Sequence, residues 1–513
     1  MEKKYNNPVH RGFLPDPSVI RVGDGFFKVN SSFQYFPAIP ISYSKDLVHW
    51  KIVSYAITEN EWLDLSETLD SRGIWAPDIS YGNGKYYIFA PLRYNSDDKA
   101  VHPMRAQLVM TSDKPEGPYS KPVILDVDDI DPSHFVDDDG KHYMVIAPGA
   151  TVIPLNDDCT KVIGEPVQVW AGTGERCSEG PHIFKKDGWY YAMVAEGGTG
   201  YGHGINIARS KSLYGEYEAC PYNPVMRQKN PDELIQRAGH GMLVETQNGE
   251  WWCMYLCGRR NGGNYTTIGR ETALDRVTWT EDGWFLINDG KGPSKEAVAP
   301  DLEWEIYEPF TFDDFDSDKI DINWLWVRNP DETAYSLTDN KGHLRLYTLD
   351  GQLFEVKAKN TLVKREEELS YMAETKMFFN PNEKEQAGLV CYYSTKTYAS
   401  FSLRKLNGED VLVLAINRNQ GEEIMNTVKN VKPGEIYLRV VVDGLVRRFY
   451  YSYDANEWHE AGVLESCTFL CDEGVPEDRK RHTGTLVGLY ANNGGTGTRN
   501  YADFDNFRYQ NRG

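Results

Sequence analysis

Asp187-Gly188-Trp189-Tyr190-Tyr191-Ala192-Met193-Val194 sets a turn dipeptide directly ahead of an aromatic, strand-forming run. Asp-Gly and Asn-Gly favour positive φ and close two-residue hairpins, so the run reads as the second strand of a hairpin. The arrangement recurs at Asp24-Gly25, Asn83-Gly84, Asp139-Gly140 and Asn248-Gly249, with runs beginning at Phe26, Lys85, Lys141 and Glu250. Eight residues before the five turns stand Asp16, Trp75, Asp131, Glu179 and His240, each read as lying just ahead of, or at the start of, a first hairpin strand. Their spacings of 59, 56, 48 and 61 residues suit four-stranded blades. A weaker repeat, Ser44 to Trp50, Ser112 to Tyr119 and Ser210 to Tyr217, reads as outer strands. The expected fold is all-β: a five-bladed β-propeller over residues 1–300.

Closing five blades into a ring brings the starts of the innermost strands to one end of a central channel. Three carboxylates, a Trp and a His then converge. Any one of these carboxylates alone reads as a strand cap accepting from neighbouring N–H groups. Three at equivalent positions argue for chemistry, because Asp and Glu are rarely buried without a partner or a task. Hydrolysis of a glycosidic bond needs one protonated and one ionised carboxyl on opposite sides of a sugar ring. Burial and mutual repulsion raise the pKa of one such group while another stays charged. No Ser-His-Asp arrangement, phosphate-binding loop, dinucleotide fingerprint or His-Glu-x-x-His motif is present. The competing reading is a non-catalytic propeller that binds sugars through its Trp and Phe.

The 513 residues suit two domains. Net charge is −21, which disfavours nucleic acid and anionic membranes and tolerates a neutral sugar. Aromatic residues make up 13%, as sugar-binding surfaces and all-β cores both use them. The eight cysteines include Cys253-x3-Cys257 and Cys467-x3-Cys471, but no partner pair or His-x3-His accompanies them, so buried reduced thiols are expected rather than zinc. The first eight residues carry no apolar run or cleavage site, and no segment is long enough for a membrane helix, so a cytoplasmic protein is expected.

The stretches Gly12-Phe13-Leu14-Pro15-Asp16-Pro17-Ser18, Ser31-Ser32-Phe33, Gly73-Ile74-Trp75-Ala76-Pro77-Asp78, Asp131-Pro132-Ser133-His134-Phe135, Ser178-Glu179-Gly180-Pro181-His182 and Gly269-Arg270-Glu271-Thr272 together resemble glycoside hydrolase family 43. The resemblance covers essentially the whole chain and points to the two-domain β-xylosidase and α-L-arabinofuranosidase branch. It implies an exo-acting, inverting enzyme that releases terminal β-D-xylose from xylo- or arabinoxylo-oligosaccharides and also acts on α-L-arabinofuranose, the alternative being an enzyme mainly for α-L-arabinofuranose. It further implies Asp16 as general base, Glu179 as general acid and Asp131 as the carboxylate that orients Glu179 and keeps its pKa high. Phe33 and Trp75 match aromatic pocket walls, and Arg270 a basic group beside the carboxylates. His240 matches a channel histidine that contacts substrate and in some relatives faces a water-coordinated calcium. No cofactor is required by the reaction, and homo-oligomer formation is left open.

Near residues 290–309 a Gly-, Pro- and Glu-rich stretch interrupts the strand pattern. Beyond it, residues 309–513 read as an antiparallel β-sandwich of jelly-roll type, with strands such as Val411 to Ile416, Ile436 to Val442 and Ala502 to Tyr509. By resemblance this domain leans on the propeller and helps close the pocket. The loop expected there, Arg479 to Gly484, carries a basic tip in place of an apolar one, with His482 touching substrate.

Overall fold

The computed structural model describes residues 2–96, 103–358, 360–476 and 480–512. Five antiparallel sheets follow one another along the first 287 residues. Blade 1 consists of Ser18–Val22, Gly25–Val29, Ala38–Ser44 and Lys51–Ile57; blade 2 of Asp78–Gly82, Lys85–Arg93, Arg105–Ser112 and Val123–Leu125. Blade 3 is Ser133–Val136, His142–Ile146, Ala150–Leu155 and Val167–Trp170; blade 4 is Glu179–Lys186, Trp189–Glu196, Gly204–Ser210 and Glu218–Ala219. Blade 5 is Ile235–Glu245, Trp251–Arg259, Glu271–Trp279 and Phe285–Ile287. The first strands of successive blades pack on one another, and that of blade 5 returns to that of blade 1, which closes the ring. The amino-terminal segment ties the closure. Asn7 accepts from the Leu274 N–H at 2.9 Å and donates to the Leu274 carbonyl at 2.8 Å, and His10 bridges Thr272.

Turn chemistry accounts for the hairpins, with differences in detail. Asn83-Gly84 and Asp187-Gly188 are two-residue turns with both φ values positive, as the dipeptides demand. In blade 1 Val22 pairs with Gly25, so the turn is Gly23-Asp24, one residue earlier than the dipeptide suggested. In blades 3 and 5 the connection spans residues 137–141 and 246–250, because Asp137 and Thr246 carbonyls accept from Gly140 and Gly249 and build wider loops. The Ser-to-aromatic repeats are not outer strands. They are the turns between third and fourth strands: Ser44 Oγ accepts from the Leu47 N–H at 2.9 Å and Ser112 Oγ from the Lys114 N–H at 3.1 Å. Trp50, Tyr119 and Tyr217 then return to the core.

The carboxy-terminal half is a sandwich of two eight-stranded sheets. Its strand Gln386–Ser394 is buried along its whole length, and the alternation of side chains explains why. Leu389, Cys391 and Tyr393 face the sandwich core with Phe401, Leu414 and Leu438, whereas Val390 and Tyr392 face the propeller. A second hydrophobic core therefore belongs to both domains, holding Phe13, Phe33 and Tyr35 against Leu325, Val363 and Tyr490.

The propeller also lends a strand. Tyr35–Phe36, from the loop inside blade 1, pairs with Trp326 and Val327 at the edge of the sandwich sheet. Arg365 Nε donates to the Phe13 carbonyl at 2.9 Å, and Arg328, fully buried, pairs with Asp70 at 2.9 Å. Removing one member of such a buried pair costs about 3–5 kcal/mol. All eight cysteines are free; seven are buried, but Cys177 is exposed, against the expectation of uniformly buried thiols. Among the described residues no helix is long and apolar enough to cross a membrane.

A chain ending at residue 305 loses the partner of Tyr35–Phe36 and uncovers the shared core. It is expected to aggregate or bind a hydrophobic dye, and to melt well below the full-length protein. A truncated chain with an unchanged Tm would show that the propeller is independent of the sandwich.

Candidate active site

The expected residues meet in one cavity of about 340 Å³, lined by Asp16, Asp131, Glu179, Phe33, Trp75 and Arg270, with His240 at its base and His482 on its far wall. Glu179 opens the first strand of blade 4, while Asp16 and Asp131 precede the first strands of blades 1 and 3 by two residues. His240 differs from the expected position. It lies inside the first strand of blade 5, where the pairing with Trp251–Arg259 slips between Gln236 and Gly239 and again at His240 itself, between Gly239 and Gly241. That bulge, with a φ of 40° at His240, turns the ring into the channel. Asp16 and Asp131 also have positive φ, 54° and 58°, values unusual for residues with a side chain and common at functional turns.

The three carboxyls have unequal surroundings. Asp16 is buried, yet Arg270 Nη1 donates to its Oδ1 at 2.8 Å and Ser31 Oγ to its Oδ2 at 2.5 Å. Burial pushes its pKa up, but Arg270, His240 and the Ser31 hydroxyl outweigh this and hold it below the usual carboxylate range. Asp131 accepts the Gly180 N–H at 2.9 Å; burial and the nearby Asp16 charge raise its pKa to about 7. Glu179 has no hydrogen-bond partner for its carboxyl among the described residues. Burial, then the charges of Asp131 and Asp16, push it up to about 8. Of the two raised groups Glu179 is the better proton carrier, because Asp131 has a donor that favours its anion.

Gly180 is required here: its φ is +59° and a Cβ would meet the His240 ring at 2.9 Å. His240 Nδ1 lies 3.6 Å from Asp16 and 3.9 Å from Asp131; burial lowers its pKa, and the Asp16 charge opposes that shift. Phe33 and Ile74 exchange backbone hydrogen bonds of 2.7 and 3.1 Å, which places the Phe33 ring 6.2 Å from that of Trp75. Trp75 Nε1 donates to the Ser71 carbonyl, leaving its face to the cavity.

The sandwich supplies the far wall. The His482 carbonyl accepts from Arg270 Nη2 at 3.1 Å and Nε at 3.3 Å, so a sandwich loop aims the guanidinium at Asp16. Asp472 shapes that loop by accepting the Arg481 and His482 N–H groups, each at 3.0 Å, and lies 3.6 Å from the buried Arg237. Arg479, also expected in this wall, lies outside the described residues. Tyr201 and His203, from the glycine-rich loop after the second strand of blade 4, do not line the cavity: Tyr201 bonds the Asn264 carbonyl, and His203 packs against Gly239. Ser31, Arg237 and Asp472 were missed as site residues. Ser31 stood within a quoted motif, but nothing in sequence links Asp472 to a propeller channel.

Calcium takes six to eight oxygen ligands. Around His240 the carboxylate oxygens of Asp16 are engaged by Arg270 and Ser31, and Oδ2 of Asp131 by Gly180, while His182 and His203 bring further nitrogens. Few protein oxygens are left free there, so a calcium ion beside His240 would draw its oxygen ligands chiefly from water. The cluster of His134, His142 and Cys159 has metal-ligand chemistry, but its imidazoles form a closed hydrogen-bond chain. Asn83 donates to His142 at 2.7 Å, the two rings share a 2.8 Å bond, and His134 meets Ser80 at 2.7 Å.

Residues 5–285 match the model of glycosyl hydrolases family 43, and residues 312–510 match the β-xylosidase C-terminal Concanavalin A-like domain. A xylan 1,3-β-xylosidase of a Vibrio species is 34% identical over 99% of both chains. A non-reducing end α-L-arabinofuranosidase of Bacteroides ovatus is 33% identical over 99% of this chain and 95% of its own. The crystal structure of a family 43 protein from Bacillus licheniformis superposes with a TM-score of 0.96 at 55% identity, covering 99% of this chain and 100% of that one. A propeller with three convergent carboxyls, a Concanavalin A-like sandwich closing its pocket, and near full-length likeness lead to one assignment: the chain belongs to glycoside hydrolase family 43 and is a glycosidase.

Proposed function

We propose that the pocket removes a terminal pentose from xylan-derived oligosaccharides with inversion, β-D-xylose first and α-L-arabinofuranose as the second reading. The observation that carries this is the split between Asp16, held ionised by Arg270 and Ser31, and Glu179, held protonated by burial and repulsion in the same small cavity. Ionised Asp16 takes a proton from the water whose oxygen bonds to the anomeric carbon. Glu179 gives its proton to the departing oxygen as the glycosidic bond breaks, and one water is consumed. Asp131, next to Glu179, keeps that proton in place by charge. Phe33 and Trp75 offer apolar faces to the sugar ring, and the sandwich wall favours a chain end over a passing chain. The names of the relatives support both sugars.

Replacing Asp16 with Asn or Glu179 with Gln is expected to lower kcat by at least about a hundredfold on xylobiose. An activated aryl leaving group hides part of the Glu179 loss. Near-normal turnover of xylobiose by Glu179→Gln would refute the assignment. In the wild type, kcat/KM falls as pH rises through about 8, where Glu179 gives up its proton, and the acid limb lies below the usual carboxylate range. Because the folded-state pKa of Glu179 is raised, its carboxyl contributes most below its unfolded value of about 4.3 and loses that contribution as pH rises through about 8. At pH 9 the Glu179→Gln protein therefore melts no lower than wild type.

Comparison of 4-nitrophenyl β-D-xyloside with 4-nitrophenyl α-L-arabinofuranoside decides the sugar, with the xyloside expected to be faster. NMR of early turnover is expected to show the inverted anomer; a retained product would contradict the mechanism. His482→Ala keeps the carbonyl that holds Arg270 and removes a side chain 42% exposed. It is expected to raise KM more than it lowers kcat; an equal fall in kcat and kcat/KM would place this residue in the chemistry.

A further inference from the structure

The segment from Gly172 to Ser178, between blades 3 and 4, forms the rim on the Glu179 side. It is anchored from below. Fully buried Glu196 accepts from the Thr173 N–H at 3.0 Å, from Thr173 Oγ1 at 2.7 Å and from Asn206 Nδ2 at 2.6 Å. The Arg176 carbonyl accepts the Gly197 N–H at 2.8 Å, and the Ser178 carbonyl accepts the Gly149 N–H at 2.8 Å. Glu175 is drawn outward to Arg227 at 2.6 Å.

On this fixed backbone Arg176 is exposed and lines the cavity, and it makes no ion pair with a described residue. The contrast with the other pocket arginines is informative: Arg270 is committed to Asp16, and Arg237 to Asp472 and Glu473. The Arg176 guanidinium lies close over Gly198, where a Cβ would stand 2.8 Å from Nη2. No side chain at that position separates the guanidinium from the glycine loop of the rim. Its charge also acts on Glu179, in the direction that lowers the pKa.

A general acid stands on the leaving-group side of the scissile bond, so the space beside Glu179 and beyond the terminal sugar is where the departing sugar rests. We propose that Arg176 is a specificity-determining residue of this leaving-group subsite, donating to the hydroxyls of a neutral penultimate pentose. The proposal rests on the reading of Glu179 as general acid. A planar guanidinium with several donors suits adjacent hydroxyls, and this exposed one, with Nη1 a long 4.0 Å from Cys177 Sγ, makes no ion pair among the described residues and has donors to offer. Its rigid backbone holds it there before substrate arrives, which lowers the ordering cost of binding.

The test compares wild type, Arg176→Ala and Arg176→Lys on xylobiose and on 4-nitrophenyl β-D-xyloside, whose leaving group has no hydroxyl pair. Arg176→Ala is expected to shift the ratio of the two kcat/KM values about tenfold against xylobiose, the scale of one charge-assisted hydrogen bond, chiefly through KM. Arg176→Lys is expected to fall between, since it keeps the charge and loses the fork. Inhibition by free xylose, which occupies the terminal-sugar pocket, is expected to hold. An unchanged ratio, whether both substrates lose activity equally or neither does, would overturn the proposal. If the wild type prefers arabinofuranosides, the same ratio is read on an arabinofuranosyl-xylose disaccharide against 4-nitrophenyl α-L-arabinofuranoside. The choice of sugar can then fail while the subsite is still decided.

Discussion

Three carboxyl groups in one small space, Asp16 and Asp131 buried and Glu179 half-buried, repel one another, and the surroundings of the pocket are organised to make that repulsion unequal. Arg270 and Ser31 satisfy Asp16, the Gly180 N–H satisfies one oxygen of Asp131, and Glu179 receives no donor from the described residues. The same low-dielectric enclosure that costs a lone charge therefore separates an anion from an acid within one site. The geometry this requires is unusual for the chain. Positive φ at Asp16, Asp131 and His240 is held by the inner ends of separate blades, which the ring keeps together.

The arrangement reaches past the propeller. Arg270 is aimed by the His482 carbonyl, and the loop bearing His482 is shaped by Asp472, so the charge that keeps Asp16 ionised is positioned by the sandwich. The two domains are bound by more than contact. Tyr35–Phe36 completes a sandwich sheet two residues after Phe33, and that ring packs in the core both domains share. Burying each such aromatic contributes roughly 1.5–3 kcal/mol. The pocket wall and the domain interface are thus built from the same residues, and loosening one loosens the other.

Much of this was legible because propeller blades repeat. Asn83-Gly84 and Asp187-Gly188 announce type I′-like turns through their own φ preferences, and a constant offset from turn to channel picks out Asp16, Asp131 and Glu179. The offset misplaced His240 because a bulge slips the register of its strand, and register is a property of the pair rather than of one strand. The Ser-to-aromatic repeats were misread as strands because a side-chain-capped turn and a short strand share their apolar and hydroxyl composition.

From its residue order alone the chain determined the five hairpins, the sandwich strands and the set of chemistry-bearing side chains, since these depend on neighbours a few residues apart. Which carboxyl holds a proton was decided only by the tertiary structure. That outcome depends on Ser31 and Arg270 reaching Asp16, on Gly180 reaching Asp131, and on no donor among the described residues reaching Glu179. Ser31 reaches Asp16 within blade 1, but the Arg270 and Gly180 contacts join separate blades, and through His482 the first of these joins separate domains. Electrostatic energy depends on distance and enclosure in space, and separation along the chain carries neither.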